Sequence, residues 1–125
     1  MVALVGRSPG DLPGSRMLPH ADKAVVEQAK ICDYLLSDSH PVGRFKARVF
    51  LALGYTSEDW PRLRGDLLHH GRTGVVRRIE RNTYGMKVVI SASLTGPNGT
   101  SRQFSTVWLI SDCSIQPRLI TAFPE

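Results

Sequence analysis

The sequence predicts an α+β fold: about three N-terminal helices packed on one face of a four-stranded antiparallel sheet, a meander. Three observations predict it. Apolar residues recur at 3.6-residue spacing up to about residue 70, and at a spacing of two from residue 75 onward. Turn signals at Tyr84-Gly85, Gly96-Pro97-Asn98-Gly99 and Asp112-Cys113-Ser114 leave only short connections, so each strand pairs antiparallel with the next. Helices first and strands after place the helices together on one side of the sheet.

Residues 1–16 carry Gly6, Gly10, Gly14, Pro9 and Pro13 without periodicity and are expected to form a flexible tail; residues 17–125 form the single domain. Ala24-Val25-Val26 reads as a short extended piece. Glu27 to Leu36 fits a helix, with Ala29, Cys32, Leu35 and Leu36 inward and Ile31 and Tyr34 flanking. Ser37-Asp38-Ser39 ends it. Val42 to Leu53 fits a second helix: Pro41 stands ahead of its first turn, Phe45, Val49, Ala52 and Leu53 share one face, and Gly54 supplies a left-handed cap. A third helix starts near Ser57 or Thr56 as N-cap, accepts Pro61 in its first turn, buries Trp60, Leu63, Leu67 and Leu68, and ends at Gly71. Four strands follow at Val75–Asn82, Met86–Leu94, Arg102–Ile110 and Arg118–Phe123. Met86, Val88, Ile90, Ala92 and Leu94 point one way on the second, and Phe104, Thr106, Trp108 and Ile110 share a face of the third. The opposite face, rich in Arg, Lys, Ser, Thr and Gln, is left open to a ligand.

The chain is basic, with a formal charge of +5, and the excess is uneven. Residues 1–71 hold nine Lys/Arg against eight Asp/Glu, whereas residues 72–125 hold seven against three. A basic C-terminal half points to a phosphate-bearing partner. No apolar run is long enough to span a bilayer and the N-terminus lacks a signal-peptide pattern, which reads as a cytoplasmic protein with no membrane partner. Cys32 and Cys113 have no paired spacing and are expected as buried thiols in a reducing compartment.

No Gly-rich phosphate loop, His-x-x-x-His pair or metal-spaced carboxylate cluster is present, so neither metal nor cofactor is expected. What remains is His40, Arg44 and Lys46 around the start of the second helix, His69-His70 at the end of the third, Arg102 on a strand, and Arg118 with Thr121 on the last strand. Cleaving RNA without metal requires a base for the 2′-hydroxyl proton, an acid for the leaving 5′-oxygen and cations for the charge that builds on phosphorus. Histidine or lysine can move the proton, and arginine clamps phosphate in a bidentate manner. Each group has a plain structural alternative: His40 as a loop or capping residue, Lys46 snorkelling from the core edge, His69 and His70 answering the helix dipole, and Thr121 simply favouring a strand.

The segments His40-Pro-Val-Gly-Arg-Phe-Lys-Ala, Leu53-Gly-Tyr, Tyr84-Gly, Leu94-Thr-Gly-Pro-Asn-Gly, Thr106-Val-Trp and Pro117-Arg-Leu-Ile-Thr-Ala-Phe-Pro resemble a family of small bacterial proteins. That family is a domain of unknown function found alone or at the ends of polymorphic toxins. Thr100 departs from it, standing where arginine commonly follows Gly-Pro-Asn-Gly, which leaves a phosphate role for that turn in doubt. The family's layout looks like the barnase/colicin D/RelE-type ribonuclease superfamily, whose members cleave RNA without metal and are often neutralised by a small cognate partner. The resemblance implies a toxin-like endoribonuclease acting on tRNA or mRNA, with an antitoxin or immunity partner. His40 or Lys46 would transfer protons, Arg44, Arg102 and Arg118 would bind phosphate, and Thr121 would hydrogen-bond it. The alternative is a non-catalytic module: an immunity-like protein or an RNA-binding adaptor. Convergence of His40, Lys46, Arg118 and Thr121 in one cleft would favour catalysis, and scatter would favour binding.

Overall fold

The computed structural model describes residues 17–37 and 43–125, with the side chains of 43–45 left aside. Gln28–Lys30 is α-helical and Ile31–Leu35 continues it as one wider turn; together they are α1. Helices α2 (Gly43–Ala52) and α3 (Trp60–Thr73) follow. Strands β1 (Val75–Asn82), β2 (Gly85–Thr95), β3 (Ser101–Ser111) and β4 (Arg118–Pro124) complete the chain. The sheet order is β1-β2-β3-β4 and every pairing is antiparallel, the meander that the short turns predict. The expected flexibility of residues 1–16 lies outside the described residues.

Alternation sorts the sheet into two faces. Val88, Ile90 and Leu94 of β2 and Phe104, Thr106 and Trp108 of β3 are buried on the face that meets Leu63 and Leu67 of α3, Phe50 of α2, and Ile31 and Leu35 of α1. Phe50 packs edge-on to Tyr55 at 6.2 Å between ring centres and lies 5.3 Å from the Phe104 ring. This single cluster sets where each helix sits, because burial of such side chains is worth about 1.5–3 kcal/mol each.

In α1 the Leu36 N–H reaches back to the Ile31 carbonyl at 2.8 Å, one residue further than in an α-helix. The wide turn keeps Ile31 and Leu35 fully buried while Tyr34 faces β4. The C-terminus of α2 is held by the β2–β3 turn. Asn98 donates its side-chain amide to the Ala52 carbonyl (2.9 Å) and its backbone N–H to the Leu53 carbonyl (3.2 Å). Gly54 takes the left-handed conformation (φ 99°) expected of a helix cap. A Cβ on Gly96 would stand 2.0 Å from the Leu53 carbonyl oxygen, so only glycine lets turn and helix end approach this closely. The Gly-Pro-Asn-Gly turn thus has a structural role, because it satisfies the otherwise unpaired last carbonyls of α2.

Some expectations are corrected. Helix α3 does not stop at Gly71 but runs on to Thr73. Gly71 is a packing position: a Cβ there would lie 2.4 Å from the Trp108 ring, and the helix passes over the indole only because that atom is missing. At the other end the N-cap residue is Asp59, not Ser57 or Thr56, and it caps without its side chain; the Thr56 hydroxyl instead accepts from the Asp59 N–H at 3.3 Å. The thiols are not both buried, for Cys32 is half-buried and Cys113 exposed in the turn after β3. Among the described residues no helix is long and apolar enough to cross a membrane.

Candidate functional site at the edge of strand β4

Strand β4 pairs with β3 through Ser105↔Phe123 and Val107↔Thr121, and then slips by one residue before Trp108↔Leu119. Directly opposed residues of an antiparallel pair share a face, so Thr121 and Phe123 both lie on the face away from α3. The bulge at Ile120 makes this possible. It lets Leu119 enter the core below Trp108 while Thr121, two residues on, faces outward.

Two helices bring further groups to this edge. The Tyr34 hydroxyl of α1 lies 3.5 Å from Thr121 Oγ1. Lys46, on the second turn of α2, places its Nζ 6.0 Å from the centre of the Tyr34 ring and 5.6 Å from that of Phe123. Lys30 approaches the Tyr34 ring as well, at 5.1 Å. Cations over ring faces are attracted by the ring quadrupole, most strongly where water is thin, and Lys46 is half-buried. Lys46 and Thr121, both singled out in the sequence, therefore meet at one place, joined through two aromatic side chains that residue chemistry alone did not mark. A hollow of about 540 Å³ lies on the Tyr34 side, lined by Glu27, Ala29, Lys30, Asp33 and Tyr34. Another of about 350 Å³ lies on the Phe123 side, lined by Arg77, Arg78, Val89, Ser105, Phe123 and Glu125. Lys46 touches a ring from each.

The other sequence candidates are placed differently. Arg118 begins β4 and is ion-paired to Glu27 at 3.0 Å, with about half of each side chain exposed. A pair so open to water contributes little, and a phosphate could replace the carboxylate at low cost. The N-terminal segment docks here too: Val25 forms a parallel bridge with Arg118. Arg102 does not join the cluster. It pairs with Leu94 at the far end of the β2–β3 hairpin, on the face that carries the core. Its parity with Phe104 and Trp108 puts it there, whereas the cluster occupies the odd-numbered face of β3. Arg44 belongs to α2, but its side chain, like all of His40, lies outside the described residues.

On the open face a polar set surrounds Glu125. Ser91 and Ser105 donate their hydroxyls to Glu125 Oε2, the latter at 3.0 Å, Arg77 approaches Oε1 at 3.5 Å, and Gln103 donates to Ser91 Oγ at 3.0 Å. The Ser91 hydrogen bond, followed by that of Ser105, holds the Glu125 carboxyl below its ordinary range, so it is ionised at neutral pH. Nothing local in the sequence marks this set, since its members come from three strands and the residue that follows β4. Phe123 was legible only through its i, i+2 relation to Thr121.

The two adjacent histidines part ways. His69 is exposed, and His70 is buried. His70 Nε2 lies 3.1 Å from the Ala92 carbonyl and 3.0 Å from that of Phe104, so it carries the hydrogen. Nδ1 then accepts from the Thr106 hydroxyl at 3.0 Å, and Thr106 Oγ1 accepts from the Trp108 indole N–H at 2.8 Å. Every polar atom of this buried chain is satisfied with a neutral imidazole. Burial is also the main reason that the His70 pKa lies below the ordinary 6.5. The unfolded chain takes up a proton at His70 more readily than the folded chain as pH falls through 6.5, so stability is lost below that pH. Urea midpoints are expected to fall as pH is lowered from about 7 through 6.5. In His70→Gln the fall should flatten; an unchanged slope would assign it elsewhere. A cavity of about 290 Å³ beside this histidine is lined by Asp66, His69, His70, Ser93, Leu94 and Thr95. Asp66 there accepts from the Tyr55 hydroxyl at 2.6 Å.

Among the described residues no three His, Cys, Asp or Glu side chains are grouped to hold a metal ion. The fold itself has a solved counterpart. A chain of the contact-dependent growth inhibition toxin–immunity protein complex from Klebsiella pneumoniae 342 superimposes with a TM-score of 0.65 at 18% identity, covering 84% of this chain and 96% of that one. At that identity the likeness is one of fold. Among curated proteins no relative matches. The family model for a domain of unknown function (DUF6883) matches residues 17–125, the whole span from the segment ahead of α1 to the end of β4, and the chain belongs to that family.

Proposed function

We propose that the chain is a toxin-like endoribonuclease that cleaves RNA without metal, through attack of a 2′-hydroxyl on the adjacent phosphate. The observation that carries this reading is the convergence of Lys46 with the Thr121 and Tyr34 hydroxyls at the β4 edge, between two aromatic rings. A strand of RNA would cross this edge from one hollow to the other, with bases stacked on Tyr34 and Phe123 and the scissile phosphate over Lys46. The Lys46 ammonium would neutralise a non-bridging oxygen as charge builds in the transition state, and the Thr121 hydroxyl would donate to the other. Arg118, released from Glu27, and Arg44 would hold flanking phosphates, and His40 is the sequence's proton-transfer candidate beside Lys46. Glu125 repels phosphate and suits a ribose hydroxyl or a base edge. Arg102, on the opposite face, would act only outside this cleft.

The cyclisation balances without a co-reactant. The 2′-oxygen bonds to phosphorus as its proton passes to a base, and the P–O5′ bond breaks as the 5′-oxygen takes a proton from an acid. The test is incubation of the purified, folded protein with total cellular RNA in EDTA. Discrete fragments ending in 2′,3′-cyclic phosphate are the expected result; intact RNA would overturn the proposal.

A second reading, a non-catalytic immunity-like or RNA-binding module, keeps one point in its favour. A solved structure that shares the fold is a complex of a toxin with its immunity protein, and a common fold is compatible with a binding role as well. Retention of RNA by folded protein without cleavage would select it.

A further inference from the structure

The sheet has two edges, and they are finished differently. The β4 edge is covered by the Val25 bridge and by Tyr34. The β1 edge is bare: β1 pairs only with β2, and no other backbone hydrogen bond reaches Val75–Asn82 among the described residues. Seven of its eight residues are exposed, Val76 being the exception. Half of the backbone N–H and C=O groups along such an edge face solvent in the spacing of a strand, which is a template for one more strand.

Side chains say what kind of strand. Register sorts β1 into two faces: Val76, Ile79 and Arg81 oppose Ile90, Val88 and Met86, while Val75, Arg78 and Glu80 oppose Ser91, Val89 and Lys87. Ile79 is 37% exposed although its partner Val88 is fully buried, so the core thins out at this edge. The charge is one-sided, with Arg77, Arg78 and Arg81 against Glu80 alone. Arg78 is engaged only by its own exposed neighbour Glu80, and Arg81 has no ion pair among the described residues. A second copy of the chain would add a strand of the same net positive charge, which disfavours self-pairing. The same charges favour an acidic strand.

We propose that the outer edge of β1 is a docking edge for an extended, acidic strand of a partner protein, which would add to the sheet as a fifth strand. Its carboxylates would meet Arg78 on one face and Arg81 on the other, and an apolar side chain would extend the core over Ile79. Arg78 also lines the hollow beside Phe123, so a docked strand and RNA would share that arginine, but β1 is the edge opposite β4, and cleavage of RNA and protection of β1 amides are separate measurements.

The test is amide hydrogen exchange of the full chain, followed by NMR, with two probes: an octapeptide of six glutamates around two central valines, which presents carboxylates on both faces, and the same peptide with lysine for each glutamate. The glutamate peptide is expected to protect solvent-facing amides within Val75–Asn82 and no other strand, and the lysine peptide to protect none. Charge reversal in Arg78→Glu/Arg81→Glu should weaken the glutamate peptide by at least about tenfold, because both sites are exposed and the fold does not depend on them. Equal protection by both peptides, protection elsewhere, or none at millimolar peptide would overturn the proposal. So would edge amides already protected in the free chain, which would mean that the chain itself or a second copy occupies the edge.

Discussion

Lys46→Ala is expected to lower the rate of RNA cleavage by on the order of 10²- to 10³-fold, the usual effect of removing one group that stabilises transition-state charge. The lysine stem is half-buried, but among the described residues its ammonium meets ring faces, at 5.6 and 6.0 Å, so the substitution should leave the fold in place. Single-turnover cleavage in EDTA, paired with a urea titration, separates the two effects. Lys46→Arg keeps the charge but not the compact ammonium, and should recover part of the rate. A purely structural lysine would show the reverse pattern, with a lowered midpoint and an unchanged rate per folded molecule. Cleavage equal to wild type in Lys46→Ala would remove this site from the reaction.

Trp108→Ala is expected to cost about 3–5 kcal/mol, a large share of the stability of a domain of this size. The indole is fully buried, lies beneath Gly71 of α3 and donates to Thr106, which in turn donates to His70. Its loss leaves a cavity under α3 and removes one donor from that chain. The contact with Gly71 can be measured on its own. Gly71→Ala inserts a methyl group against Cζ2 and Cε2 of the indole, at 2.4 and 2.8 Å before relaxation, and overpacking of this kind costs about 1–3 kcal/mol. In a Trp108→Phe background those ring atoms are gone, and the same substitution should be close to neutral. A double-mutant cycle by urea unfolding reads the coupling directly. Additive costs would mean that the helix tolerates the methyl by moving, and that Gly71 is not there for the tryptophan.

The strands were legible because their cause is local. A period of two from Val75 onward and turn residues every ten or so positions specify both face and register: Val88, Ile90, Phe104 and Trp108 are buried on the side that alternation assigns them. Helix ends were less legible, since they depend on what the helix meets. Gly71 has the composition of a stop signal, yet the adjacent Trp108 ring uses its missing side chain and the helix continues to Thr73. Asn98, similarly, reads as a turn residue, but its amide is spent on the end of α2.

The candidate site divides along the same line. Residue chemistry determined by itself that lysine, arginine and hydroxyl groups near α2 and β4 were available, and that metal-ligand spacing was missing. It also determined the basic excess that β1 displays. Only the tertiary structure decided which of these groups meet. The bulge at Ile120 turns Thr121 outward, the wide turn of α1 aims Tyr34 at it, and the Asn98 contacts hold α2 so that Lys46 lies between two rings. The physical reason is range. Alternation, caps and turns act over a few residues, whereas the partners Tyr34 and Thr121 are separated by 87 positions, and their meeting depends on how one shared core orients α1, α2 and β4.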